Sequence, residues 1–81
     1  MKSILLIDDD DLSRGAVHKM LERAGYSVYS TGDGKGAIDR YRTTPSDLVI
    51  TDLIMPDIDG LEVIQQLRRI NPSVRSNMRL G

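Results

Sequence analysis

Residues 48–64 read "LVITDLIMPDIDGLEVI". Leu48 to Thr51 form a short apolar run without alternation, the pattern of a strand buried on both faces of a parallel sheet. The run ends on a lone acid, Asp52. Pro56 and Gly60 make the following residues a turn, after which Leu61, Ile64, Leu67 and either Arg68 or Ile70 recur at helical spacing. Asn71 and Pro72 stop that helix. The segment is therefore a βα unit whose strand end carries a carboxylate.

The same arrangement opens the chain. "SILLI", residues 3–7, is a second uninterrupted apolar run, and it meets four consecutive acids, Asp8, Asp9, Asp10 and Asp11. Leu12, Ala16, Val17, Met20, Leu21 and Ala24 follow at helical spacing, with Asp11 predicted as N-cap and Gly25 as the stop. Gly15 inside this helix costs about 1 kcal/mol relative to alanine, for which close packing is the expected reason. "YSVYST", residues 26–31, alternates and is β-branched and aromatic, so it reads as a strand with one face less buried. "GDGKG" is a loop by composition, and a short helix is predicted from about Gly34 to Thr43 with Ala37, Ile38 and Tyr41 inward. The order is βαβαβα, which implies an α/β fold with parallel strands joined by right-handed crossovers. "PSVRSNMRL", residues 72–80, carries too few apolar positions for another strand and reads as a frayed tail.

Composition narrows the function. At 81 residues the chain holds one domain at most, with a large share of its surface wet. It lacks Phe and Trp and has three Tyr, so the core rests on aliphatic side chains and Met. Eleven basic against 12 acidic residues give a net charge of -1, with no global field to favour nucleic acid or an anionic membrane. Absence of cysteine removes disulfides and thiolate metal sites, and one histidine, His18, removes a His-rich zinc site. A reducing, cytoplasmic setting is expected. The apolar run before the acids is too short for a signal peptide or membrane span.

In an open parallel sheet, chemistry collects outside the carboxyl ends of the strands. Asp8 and Asp9 end the first strand and Asp52 ends the third, so the three carboxylates converge if those strands are neighbours. Such a cluster needs a cation, and oxygen-only ligands select a hard ion, Mg²⁺ rather than a dedicated calcium cage. One carboxylate beside a bound metal can also act as a nucleophile toward a phosphoryl group, and Asp52 is the candidate.

These residues resemble the receiver domain of two-component response regulators. "ILLIDDDD" is similar to the family's first strand with its acidic pair. Asp52, Met55, Pro56, Asp59 and Gly60 match its D-x-x-M-P-x-x-D-G signature. The resemblance implies a flavodoxin-like fold with strand order 2-1-3 and a phosphoacceptor at Asp52 served by a sensor histidine kinase. It also implies Mg²⁺ bound directly by Asp9, with Asp8 assisting through water and the backbone carbonyl of Ile54 completing the site. The protein is expected to be a signalling module rather than an enzyme.

The resemblance runs from residue 2 to about 75, so residues 1–75 read as a receiver truncated after the third helix and 76–81 as a tail outside the family. A member would continue with two further βα units, whose hydroxyl and lysine serve the phosphoryl group. Their absence predicts impaired switching and leaves Leu48 to Thr51 as an unpaired edge. A homodimer or higher oligomer through that edge is the expected remedy. The alternative to phosphotransfer is a fragment serving only as an oligomerising or interaction unit.

Simpler readings cover the other motifs. Asp10 and Asp11 belong to a turn and helix start, where the helix dipole favours acids. "DIDG" fails as a calcium loop because its first position would be Met55 and its twelfth Gln66. "GDGKGA" lacks Walker spacing. His18 reads as a solvated surface residue. Arg68, Arg69, Arg75 and Arg79 form a loose basic patch without aromatic partners, so no nucleic-acid role is expected.

Overall fold

Strands and helices alternate through the computed structural model, which describes residues 2–56 and 58–79. The elements are β1 (Ser3–Ile7), α1 (Asp11–Arg23), β2 (Ser27–Thr31), α2 (Gly34–Thr43), β3 (Leu48–Asp52), α3 (Gly60–Ile70) and β4 (Ser76–Arg79). All strand pairs are parallel, in the order β2-β1-β3-β4. This is the flavodoxin-like α/β arrangement. Right-handed crossovers leave β1 toward β2 on one side and β3 toward β4 on the other, which sets α1 on one face and α2 with α3 on the opposite face.

Each helix begins at an aspartate. Asp10 accepts from the Ser13 N–H at 2.9 Å, Asp33 from the Lys35 N–H at 3.1 Å and Asp59 from the Glu62 N–H at 2.8 Å. Each satisfies a donor that the first helical turn leaves open. The cap of α1 is thus Asp10 and not Asp11, because Asp10 is the residue with extended backbone while Asp11 already lies in the helix. Gly25 ends α1 with φ at 97°, as its position predicts. The Tyr26 N–H reaches the Leu21 carbonyl at 3.2 Å and the Gly25 N–H the Glu22 carbonyl at 3.0 Å, a left-handed C-terminal cap.

The core lies on the α2/α3 face. Leu5, Ile7 and Val49 of the sheet pack with Ala37, Ile38 and Tyr41 of α2, Met55 and Ile58 of the loop, and Val63 and Leu67 of α3. Helical spacing sends Leu61 inward, but it is 49 % exposed and Val63 takes the core position. The phase of α3 is set by Gly60, which must approach β3 closely. On the opposite face α1 buries no residue fully, and Leu12 and Met20 of its apolar stripe are exposed. No heavy atom lies near enough to Gly15 to make close packing its reason, and nothing in the structure explains it.

The largest departure from expectation is β4. Residues 76–79 are not a frayed tail but a strand in register with β3, pairing Val49 with Ser76, Ile50 with Asn77, Thr51 with Met78 and Asp52 with Arg79. The order 2-1-3 becomes 2-1-3-4, and the strand of one of the two βα units expected to be missing is present. Hydropathy does not reveal it because an edge strand is held by backbone hydrogen bonds and its side chains stay partly or fully exposed. The β3 edge proposed for dimerisation is consequently occupied: Val49 and Thr51 are fully buried. The stated basis for a homodimer through that edge is gone. Among the described residues, no helix is long and apolar enough to cross a membrane.

Candidate functional site

β1 and β3 are neighbours, with Ile7 opposite Thr51. One step further along both strands, Asp8 and Asp52 stand side by side at the carboxyl edge of the sheet, and Asp9 joins them from the loop into α1. One oxygen from each of Asp8, Asp9 and Asp52 lies within 4.8 Å of the others. Asp8 is 1 % exposed and Asp52 7 %, whereas Asp9 faces solvent. The three acids singled out from sequence do converge. Asp10 and Asp11 stay outside the cluster: Asp10 caps α1, and Asp11 is exposed and pairs with Arg14 at 2.6 Å.

Asp8 is held from every side. Its Oδ1 accepts from the Asp10 N–H at 2.9 Å, and its Oδ2 from Arg79 Nη1 at 3.2 Å. The Asp8 carbonyl accepts from Arg14 Nη1 at 2.7 Å, and its N–H donates to the Thr31 carbonyl at 3.1 Å. Asp52 is held differently, through its backbone. The Leu53 N–H donates to the Arg79 carbonyl at 2.8 Å and the Leu53 carbonyl accepts from the Gly60 N–H at 2.8 Å, so the strand end is clamped from β4 and from α3. Its side-chain Oδ1 is buried with no hydrogen-bond partner among the described residues. The nearest cation is Arg79 Nη1, 3.9 Å away.

These surroundings split the two carboxyls. Burial, the adjoining Asp8 carboxylate and the Asp9 charge push Asp52 up from 3.8 to about 6, against a smaller pull from Arg79. Burial also acts against the Asp8 charge, but hydrogen bonds with Asp52, the Asp10 N–H and Ser13, together with the Arg79 guanidinium, hold Asp8 below its ordinary value. Two buried carboxylates this close repel by roughly 3–4 kcal/mol when both are ionised. The chemistry follows from the donor set: hard oxygens only, one buried oxygen without a donor, and an excess of negative charge, which together suit a small divalent cation.

Arg79 belongs to this site and not to the basic patch in which its sequence neighbourhood puts it. No local motif marks it. Its place follows from the register of β4, and only the rule that a chain leaving α3 returns parallel to β3 points in that direction. Gly60, expected from sequence as a turn and signature residue, also contributes by close approach, since a Cβ there would overlap the Asp52 carbonyl oxygen. Ile54 lies two residues beyond Asp52 with its side chain exposed. Asp57 falls outside the described residues. His18 is half-buried and not simply solvated: Nδ1 is 2.7 Å from Ser30 Oγ and Nε2 is 3.3 Å from the Glu22 carboxylate, tying α1 to β2.

The sequence pattern of the response regulator receiver domain family matches residues 4–78. The chain belongs to that family. Receiver domains are signalling modules of two-component systems, and this receiver has curated relatives among them. The response regulator receiver protein CpdR of Brucella abortus is 39 % identical over 75 residues, spanning 93 % of this chain and 62 % of its own length. The alkaline phosphatase synthesis regulator PhoP of Bacillus subtilis is 38 % identical over 68 residues, 84 % of this chain and 28 % of its own. The receiver thus spans less than two thirds of these relatives. Among solved structures, the response regulator TrrA of Thermotoga maritima superposes in two forms at 32 % identity over 96 % of this chain. One is a complex with the histidine kinase ThkA, with a TM-score of 0.90 and 67 % of TrrA covered. The other is a complex with Mg²⁺–BeF, with a TM-score of 0.86 and 66 % covered.

Proposed function

We propose that this receiver accepts a phosphoryl group on Asp52 from the phosphohistidine of a sensor histidine kinase, in the cytoplasm. In this reading Asp8, Asp9, Asp52 and the backbone carbonyl of Ile54 hold Mg²⁺. The observation that carries it is the buried Asp52 Oδ1, which has no hydrogen-bond donor among the described residues and has two further carboxylates beside it. Leaving a buried acceptor unmatched costs about 1–3 kcal/mol, and a cation is the ligand that relieves it in a cluster of this charge. The TrrA complexes with a kinase and with Mg²⁺–BeF support the same assignment by likeness.

When bound, Mg²⁺ neutralises charge on the transferring phosphoryl group and its acceptor. The chain's own residues do the rest. The clamp on Leu53 from Gly60 and Arg79 fixes the backbone that carries Asp52, so its carboxylate is oriented without help from the donor. An Asp52 oxygen attacks phosphorus, the O–P bond forms as the N–P bond to the donor imidazole breaks, and the imidazole takes up a proton. Asp8, held on Oδ1 by the Asp10 N–H, keeps its charge beside the acceptor.

The test is incubation with Mg²⁺ and acetyl phosphate followed by intact mass. A single phosphoryl adduct on the wild type, absent from Asp52→Asn, is the expected result. Equal addition to both proteins, or none to either, rejects Asp52 as the acceptor. The alternative role, assembly through an open β3 edge, has lost its support because β4 occupies that edge.

A further inference from the structure

Phosphotransfer as described leaves the Arg79 guanidinium without a task. It extends from the end of the edge strand across the end of β3, one third exposed, and spans three groups. Nη1 donates to Asp8 Oδ2 at 3.2 Å and sits 3.9 Å from Asp52 Oδ1, while Nη2 donates to Ser13 Oγ at 3.3 Å. A guanidinium is a planar cation with several N–H donors, so one side chain can bridge these acceptors at once. It is the partial neutraliser of a cluster that otherwise holds three carboxylates.

A divalent cation bound by the cluster would share Asp8 and Asp52 with that guanidinium, and the two positive groups would meet at contact range. One of Asp8's donors must then yield. The Asp10 N–H on Oδ1 is built into the turn that caps α1 and cannot leave without unravelling it. Arg79 is held on Oδ2 by a long side chain with several rotatable bonds, and solvent is open to it.

We propose that Arg79 is an intramolecular counter-ion that competes with a divalent cation for Asp8, so that cation binding and the Asp8–Arg79–Ser13 bridge exclude one another. By linkage, whatever the bridge contributes to the cation-free protein is subtracted from cation affinity. The bridge ties β4 to the start of α1, so the same exchange reports cation occupancy to the edge of the sheet. This inference rests on the reading of the acidic cluster as a metal site.

The experiment is a Mg²⁺ titration of the wild type and Arg79→Gln, with dissociation constants taken from backbone amide NMR shifts. The variant is expected to bind roughly tenfold more tightly, within the usual range for coupled sites. Equal or weaker binding overturns the proposal while leaving the metal site standing. Binding by neither protein overturns both, and the acetyl phosphate assay then judges Asp52 separately. Because Arg79→Gln could loosen β4 itself, the wild type supplies a second measurement. The Arg79 Nε–H resonance should move with the same Mg²⁺ midpoint as the amides near Asp8 and Asp9. A resonance that stays still while those amides move overturns the competition.

Discussion

Gly60 lies so close against Asp52 that a methyl group at its Cα would overlap the Asp52 carbonyl oxygen. The contact joins the first residue of α3 to the end of β3, and the adjacent Gly60 N–H to Leu53 hydrogen bond closes the turn between them. A glycine is needed here for proximity to backbone, which cannot move aside as a flexible side chain can.

Gly60→Ala should therefore destabilise the receiver by about 1–3 kcal/mol, the usual range for forced overpacking. It should also displace the acceptor. Urea unfolding gives the first effect, and loss of acetyl phosphate labelling at a urea concentration where the variant is still folded gives the second. Wild-type stability in the variant would remove the packing account.

The raised value of Asp52 predicts how the metal-free protein responds to pH. The folded value, about 6, exceeds the ordinary 3.8, so the folded state holds this proton more readily. The stabilising contribution is complete below about pH 4 and is lost as pH rises through 6, by up to roughly 3 kcal/mol. Asp8 shifts the other way, so its contribution is present above 3.8 and fades only at lower pH. Without Mg²⁺, Asp52→Asn should match the wild type near pH 4 and exceed it by about 2–3 kcal/mol at pH 7.5. Parallel pH profiles for the two proteins would contradict the shift.

Mg²⁺ should stabilise the folded state by mass action. At ten times the dissociation constant the gain is about 1.4 kcal/mol, equivalent to roughly 6–11 °C in Tm for a domain of this size. Asp9 is exposed and makes no contribution to the core, and its charge opposes ionisation of Asp52, so Asp9→Asn should keep or slightly raise the metal-free Tm while losing most of the Mg²⁺ response. Thermal melts with and without the ion decide this, and an undiminished response in Asp9→Asn would remove Asp9 from the ligand set.

A second hydrogen bond anchors the helix layer. Asn71 Nδ2 donates to Tyr41 Oη at 3.0 Å and Asn71 Oδ1 accepts from the Ser73 N–H at 3.0 Å, so one side chain links α2 to the turn leading into β4. Tyr41→Phe should cost about 1 kcal/mol, and Asn71→Ala more, because it removes both bonds. A double-mutant cycle should show coupling of at least about 0.5 kcal/mol. Strict additivity would mean the bond contributes nothing.

What the sequence makes legible here is what burial dictates. Ile4 to Ile7 and Val49 must be inside, acids stop both runs, and parallel pairing then brings Asp8 and Asp52 together. Ala37, Ile38 and Tyr41 lie on the buried side of α2 as their spacing requires. What stays hidden is held by backbone or by register. Ser76 to Arg79 form a strand without an apolar pattern, because an edge strand owes its place to hydrogen bonding. Arg79 reaches Asp8 only because that strand pairs Arg79 with Asp52. Leu61 is misplaced by periodicity because the close approach of Gly60, and not the apolar stripe, sets the rotation of α3.

The uneven burial of the helices bears on how the molecule opens. α2 and α3 each bury several side chains, whereas α1 buries none fully. Regions with few buried contacts open locally at small free-energy cost, while the core elements open only with the whole domain. Amides of α1 should accordingly exchange with solvent well before those of β1 and β3. Asp8 and Asp52 belong to the slow half, at the ends of those two strands, but the Asp10 N–H and the Arg14 guanidinium that hold Asp8 arrive with α1. A fluctuation of α1 thus strips the Asp10 N–H from Asp8 Oδ1 while Arg79 keeps Oδ2 and the distance to Asp52 is preserved, so the breathing of one helix sets how often that one oxygen is free.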